Sequence, residues 1–259
     1  MPFTLSHAAA ALPFRRTGLV ISAVVVGSMA PDFEYFLRLT PQDRFGHTLP
    51  GLVVFTLPVA LAVLWLFHHS VKFAVVRLLP DCVQQRLVCD PGFRFGPARR
   101  FALIVLSVFA GALTHIAWDS FTHRESWLVE HSPFLLQTVT ISWLPRHPMP
   151  LCILLQQIST LGGLAILAIW CIAWFHSTAP AQPVTAPLSR GAKLGAVVLL
   201  LVLALCGALL RTALFHSSSH FERLAVFVVA AIALLWWELV ALGWCWQPCQ
   251  AARLNFSQL

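Results

Sequence analysis

Residues Arg100–His123 read RFALIVLSVFAGALTHIAWDSFTH. The stretch opens on a cation, stays apolar almost throughout to Leu113, and closes on His115, Asp119 and His123. Arg100–Trp118 has close to the ~20 residues that an α-helix needs to cross the hydrocarbon core of a bilayer. The three polar residues follow at intervals of four, so a helix that continues past Asp119 carries all of them on one face. One stretch therefore predicts both a membrane span and a polar stripe at its end.

Working outward, Thr48–His68, Leu151–Trp174, Lys193–Leu214 and Leu224–Trp246 repeat the apolar pattern and read as further spanning helices. Gly18–Met29 is apolar but only about a dozen residues long, short of a full crossing. Pro31 and Asp32 end it, so it is a tilted span completed by Phe33–Leu37, a re-entrant helix or an interfacial one. The fold class is all-α: a polytopic membrane helical bundle with five spans plus one short N-terminal re-entrant or spanning helix, forming a single integral membrane domain over 1–259. The linkers are Val71–Arg99, Ser120–Pro150 and His176–Arg190, the last a flexible Pro-, Ser- and Ala-rich connector. No internal repeat is visible.

Composition supports this reading. Of 259 residues, 58% are hydrophobic and only 10% charged, against about 25% charged in soluble domains. Mean hydropathy is +0.78. Disorder, which needs low hydrophobicity, is excluded, and the short alternating segments of a β-barrel are not seen. The start, MPFTLSHAAAALPFRR, places its basic pair after the apolar stretch, so no cleavable signal peptide is expected. Cys152, Cys171 and Cys206 fall inside apolar segments and read as small buried hydrophobes. Neither Cys82 with Cys89 nor Cys245 with Cys249 has zinc-ribbon spacing.

The net charge of +7 does not indicate a nucleic-acid partner. The basic residues flank apolar runs, where anionic headgroups and the positive-inside bias account for them. Lys72, Arg77, Arg86, Arg94, Arg99 and Arg100 load the loop from Val71, whereas Ser120–Pro150 holds only Arg124 and Arg146. This imbalance places Val71–Arg99 in the cytoplasm and Ser120–Pro150 outside. It also places Asp32, Glu34, His47, His115 and Asp119 at one membrane face, the outer one.

That convergence does not follow from composition. Imidazole and carboxylate at i, i+4 can grip one divalent ion, and Asp32 and His47 join them at the same face. The competing account is a set of helix-end polar groups bonded to each other and to water. His7 is a further candidate ligand, with an interfacial histidine as the alternative. His131 and His147 read as loop histidines; His68, His69, His176, His216 and His220 sit at span ends. Glu238 lies within the last span, where an acid is a functional candidate by default or a packed, paired carboxyl. Gln156 and Gln157 could line a pocket near the outer face. Trp118, Trp127, Trp143, Trp244 and Trp246 fit interfacial belts.

Taken together, PFTLSHAAAALPFRRTGL, GSMAPDFEYF, FGHT and THIAWDSFTH resemble a bacterial membrane family, domain of unknown function 4184, over nearly the whole chain. Their order is similar to that of membrane-bound metal-dependent hydrolases and, more distantly, of the zinc-dependent phospholipase C and single-strand nuclease superfamily. The distant resemblance implies that His7 shares a metal with the N-terminal amine, that Asp32 and His47 pair on one zinc, and that Asp119, with His115, bridges two metals. The later His-x3-Asp/Glu of that superfamily has no counterpart after His123, so one or two metals are implied rather than three.

Two functions are carried forward. The first is a metal-dependent hydrolase of a phosphate ester, lipid-linked, using a divalent metal, zinc first, at the extracytoplasmic face of a bacterial inner membrane. Asp32, His47, His115 and Asp119 would hold the metal, with Glu34 or His123 transferring protons. Membrane lipid, including a lipid phosphate as substrate, is the expected partner. The second is a non-catalytic transporter or assembly factor whose polar helix ends are structural. A transport path should carry polar residues through the bilayer depth, and the middles of these spans are nearly pure apolar.

Overall fold

A computed structural model describes residues 3–41, 45–87, 93–140, 148–181 and 188–256, with side chains as far as 246. The chain is helical almost throughout. A 3₁₀ helix, Thr4–Arg16, is followed by α1 (Ile21–Met29), a short 3₁₀ turn over Ala30–Asp32, and α2 (Phe33–Arg38). Five long helices come next: α3 (Leu49–Leu78), α4 (Ala98–Thr122), α5 (Leu151–Ser177), α6 (Arg190–Ala213) and α7 (His220–Phe256). Each is long and apolar enough to cross a membrane. Large apolar side chains such as Leu161, Ile169, Leu199 and Leu209 point outward, as suits a lipid surround.

The helix ends differ from the sequence reading. α3 runs about ten residues past His68, absorbing the start of the expected Val71–Arg99 loop, and winds through π turns at Leu52–Thr56 and Phe67–Val71. Among its described residues, Ser120–Pro150 holds two single-turn helices and the paired strands Thr138–Val139 and Met149–Pro150. Of the three intramembrane cysteines, only Cys152 is buried; Cys171 and Cys206 are exposed, because these helices turn much of their apolar surface outward. Trp143 and His147 lie outside the described residues, as do Cys89 and the side chain of Cys249.

Packing sorts the chain into two compact units. The first comprises Met1–Asp32, Phe45–Leu61 and Phe95–Trp174; the second comprises Phe33–Arg44, Ala62–Arg94 and Phe175–Leu259. In the second unit α6 packs on α7. Ser70 Oγ donates to the Val240 carbonyl at 2.6 Å, and Lys193 Nζ donates to the Leu79 carbonyl and the Asp81 carboxylate.

In the first unit the N-terminal 3₁₀ helix and α1 form a hairpin. α1 lies parallel to α4 in steady register: the Val20 amide donates to Ser107 Oγ at 3.0 Å, and eight residues further on His115 Nδ1 lies 2.8 Å from the Ser28 carbonyl. Two glycines permit this approach. A Cβ on Gly27 would lie 2.2 Å from the Val108 carbonyl oxygen, and one on Gly111 would lie 2.2 Å from that of Val24. The 3₁₀ arm follows α5 instead, with the Phe3 amide donating to Thr160 Oγ1 and Ser6 packed on Gly163. The hairpin answers the question left by the short apolar run. It enters and returns, so His7 and Asp32 share one end while Arg15 and Arg16 sit near the tip.

Candidate metal centre

Three elements of the first unit bring four side chains to one point. Asp32 comes from the 3₁₀ turn after α1, His47 from the turn before α3, and His115 and Asp119 from consecutive turns of α4. One ligand atom from each falls within 4.8 Å of the others. His47 Nε2 is 3.2 Å from His115 Nε2, 3.4 Å from Asp32 Oδ1 and 3.7 Å from Asp119 Oδ2. His115 Nε2 is 3.5 Å from Asp32 Oδ1 and 3.1 Å from Asp119 Oδ2.

These spacings have a physical meaning. Ligands about 2.0–2.1 Å from a tetrahedral zinc stand about 3.3 Å from each other, and the five distances scatter around that value. Asp32, His115 and Asp119 are buried. Two carboxylates so close, away from water, require a compensating positive charge. These four side chains could hold one metal ion, and a divalent ion would neutralise both acids.

The surrounding contacts aim the ligands. A carbonyl can only accept, so the Ser28 oxygen takes the Nδ1–H of His115, and in the neutral ring the Nε2 lone pair is turned inward. Thr4 Oγ1 donates to Asp32 Oδ2 at 2.7 Å, which directs Oδ1 to the group. Thr56 Oγ1 donates to the Gly46 carbonyl at 3.1 Å, pinning the turn that carries His47, and a Cβ on Gly46 would strike the Pro31 carbonyl oxygen at 2.3 Å. Burial alone would raise the Asp32 carboxyl; the imidazoles of His115 and His47 outweigh it and hold the group well below the ordinary carboxylate range.

The other expected residues take distinct places. His7 stacks on His115, ring centroids 4.0 Å apart, and its Nε2 lies 3.5 Å from Asp119 Oδ1. Both atoms are enclosed and neither makes a hydrogen bond. Burial, with the His115 imidazole next in weight, lowers His7 to about 4, so it is a neutral base at pH 7. His123 caps α4, with Nδ1 3.4 Å from Asp119 Oδ2 and its side chain 27% exposed. The stripe expected on α4 thus forms, although His123 is outside the four-residue group. Glu34 belongs to the second unit, buried, with Arg38 donating to Oε1 at 2.8 Å. His131 is exposed and stacks on Trp127. Gln156 is buried and Gln157 exposed.

Sequence reading missed Thr4, Ser28, Gly46 and Thr56. Only Thr4 left a usable signal, since residues three apart eclipse on a 3₁₀ helix and Thr4 therefore shares a face with His7.

The family profile described as domain of unknown function (DUF4184) matches residues 1–244. The chain belongs to this family. That span of DUF4184 includes every residue of the centre, four of the five membrane-length helices whole and the fifth as far as residue 244. No curated protein and no solved structure matches the chain.

Proposed function

We propose that this DUF4184 chain is a membrane-bound metal-dependent hydrolase of a phosphate ester, with a lipid-linked substrate and zinc as the metal. The observation that carries the reading is the set of five ligand-to-ligand distances of 3.1–3.7 Å among Asp32, His47, His115 and Asp119. A divalent ion held there lowers the pKa of bound water and stabilises charge on phosphoryl oxygens. His47 and His115 would bind through Nε2, Asp32 through Oδ1 and Asp119 through Oδ2. His123, half-exposed beside Asp119, is the better proton carrier; Arg38 already holds Glu34. The unbonded His7 Nε2 and Asp119 Oδ1 would take a second ion or a water. The arginine imbalance favours an extracytoplasmic site in a bacterial inner membrane. Exposed Trp118, Phe121 and Trp127, on and just after the end of α4, suit a headgroup presented at the interface.

A second reading rests on ligand count. Four protein ligands close a tetrahedral zinc, the habit of structural sites, so the ion would clamp helix ends without chemistry. Hydrolysis requires a fifth position or release of one ligand, and His47, 23% exposed on a turn, is the ligand on the open side. Elemental analysis tests both readings at once. Purified wild type should hold one or two equivalents of zinc or a similar ion, and His115→Ala almost none; near-zero metal in both overturns either reading. Phosphate release from a panel of lipid phosphates by the metal-loaded protein then separates enzyme from clamp.

A further inference from the structure

The end of the first unit opposite the metal centre carries an uncompensated charge. Arg15 and Arg16 close the 3₁₀ arm, about 16 Å along it from His7 at ~2.0 Å per residue. The hairpin's returning helix, α1, is fixed there at its N-cap by the Val20 amide on Ser107 Oγ, roughly a dozen ångströms from the first residues of α4, where Arg99 is exposed. Both tip arginines are exposed, and among the described residues neither has a carboxylate partner. The acids of this unit, Asp32, Asp119, Glu125 and Glu130, all fall at or beyond the metal-centre end.

Guanidinium does not shed its proton, so two such groups beside hydrocarbon need an anion. The arginines also share an open hollow of about 480 Å³ with Leu12 and Pro13. The Arg15 guanidinium lies 5.2 Å over the Trp170 ring, on a residue type enriched at membrane interfaces. Planar donors beside apolar side chains match an amphiphilic phosphodiester better than a free ion.

We propose that the hairpin tip, Arg15 and Arg16 with Leu12, Pro13 and Trp170, binds the headgroup of an anionic phospholipid. The phosphate is held by the two guanidinium groups, and the glycerol and acyl stems lie against Leu12 and Pro13. Thr4, His7 and Asp32 belong to the same hairpin, so the lipid steadies the arms that reach the metal centre. The site does not depend on the metal or on any hydrolysis.

Native mass spectrometry of the detergent-purified full chain, titrated with phosphatidylglycerol or phosphatidylcholine, tests it. Each interfacial charge strengthens binding about fivefold, so Arg15→Gln/Arg16→Gln should weaken phosphatidylglycerol binding about thirtyfold. A control of equal charge loss, Arg190→Gln/Arg223→Gln, should stay within about threefold of wild type. Phosphatidylcholine should bind wild type and tip variant equally weakly, and inorganic phosphate should not displace the lipid. Tip-variant binding within threefold of wild type, equal binding of both lipids by wild type, or displacement by phosphate overturns the proposal. If the glutamine pair fails to purify, wild-type phosphatidylglycerol binding across a salt titration decides: a steep fall with ionic strength is expected, and a flat profile overturns it.

Discussion

At the scale of single residues, Asp119 carries two duties on one carboxylate. Oδ2 faces His115, His47 and His123, while Oδ1 faces His7 and makes no hydrogen bond. Asp119→Asn keeps the shape and removes the charge that offsets a cation. It should abolish metal retention and phosphate release while the protein still reaches the membrane; full metal content in this variant would mean that the ligands are elsewhere. Glu238, half-buried in α7 with Oε2 enclosed and unbonded, is outside the four-residue group, and Glu238→Gln should leave metal content unchanged in the same measurement. Thr4→Val removes the donor to Asp32 Oδ2 and should weaken metal retention about 10- to 100-fold, as losses of ligand-orienting contacts do; competition with a chelator reads this directly. The four clustered side chains were legible as candidates, because histidine and aspartate are rare and costly in so apolar a chain. Their supports were not. Ser28 contributes only a backbone carbonyl, and Thr56 is one hydroxyl among many.

At the scale of elements, the N-terminal hairpin decides whether the ligands meet. Gly111→Val would press a side chain against the Val24 carbonyl and Ser28 amide. Overpacking of this kind costs about 1–3 kcal/mol or more, so thermal unfolding should come earlier and metal should be lost with every ligand still present. An unchanged melting profile with full metal would show that α1 and α4 do not need this close approach. Apolar length alone leaves Gly18–Met29 open as a tilted span, a re-entrant helix or an interfacial one. A 3₁₀ arm of thirteen residues folds back along it, but such runs rarely exceed three or four residues, so no sequence pattern announces one. The spans were legible from apolar length; their ends were not. Lys72 and Arg77 did not stop α3, because Arg77 packs over the Trp246 ring at 4.7 Å and the aliphatic stems of such residues tolerate an apolar surround.

At the scale of the whole molecule, orientation is the remaining expectation. In a chain with its native cysteines replaced, Glu125→Cys should react with a membrane-impermeant thiol reagent added outside, and Gln85→Cys only after permeabilisation. The reverse pattern would move the metal centre to the cytoplasmic side without disturbing its geometry. The long-range contacts of the hairpin also set a timetable for synthesis. Its two arms lie within the first 32 residues, yet the Ser28 carbonyl waits for His115 and the Phe3 amide for Thr160. At about 5–20 residues per second, the ribosome leaves the hairpin without its neighbours for on the order of ten seconds. During that interval a dozen apolar residues, two arginines, His7 and Asp32 must be sheltered by lipid or by the insertion machinery. The hairpin therefore completes its contacts only after α5 has left the exit tunnel.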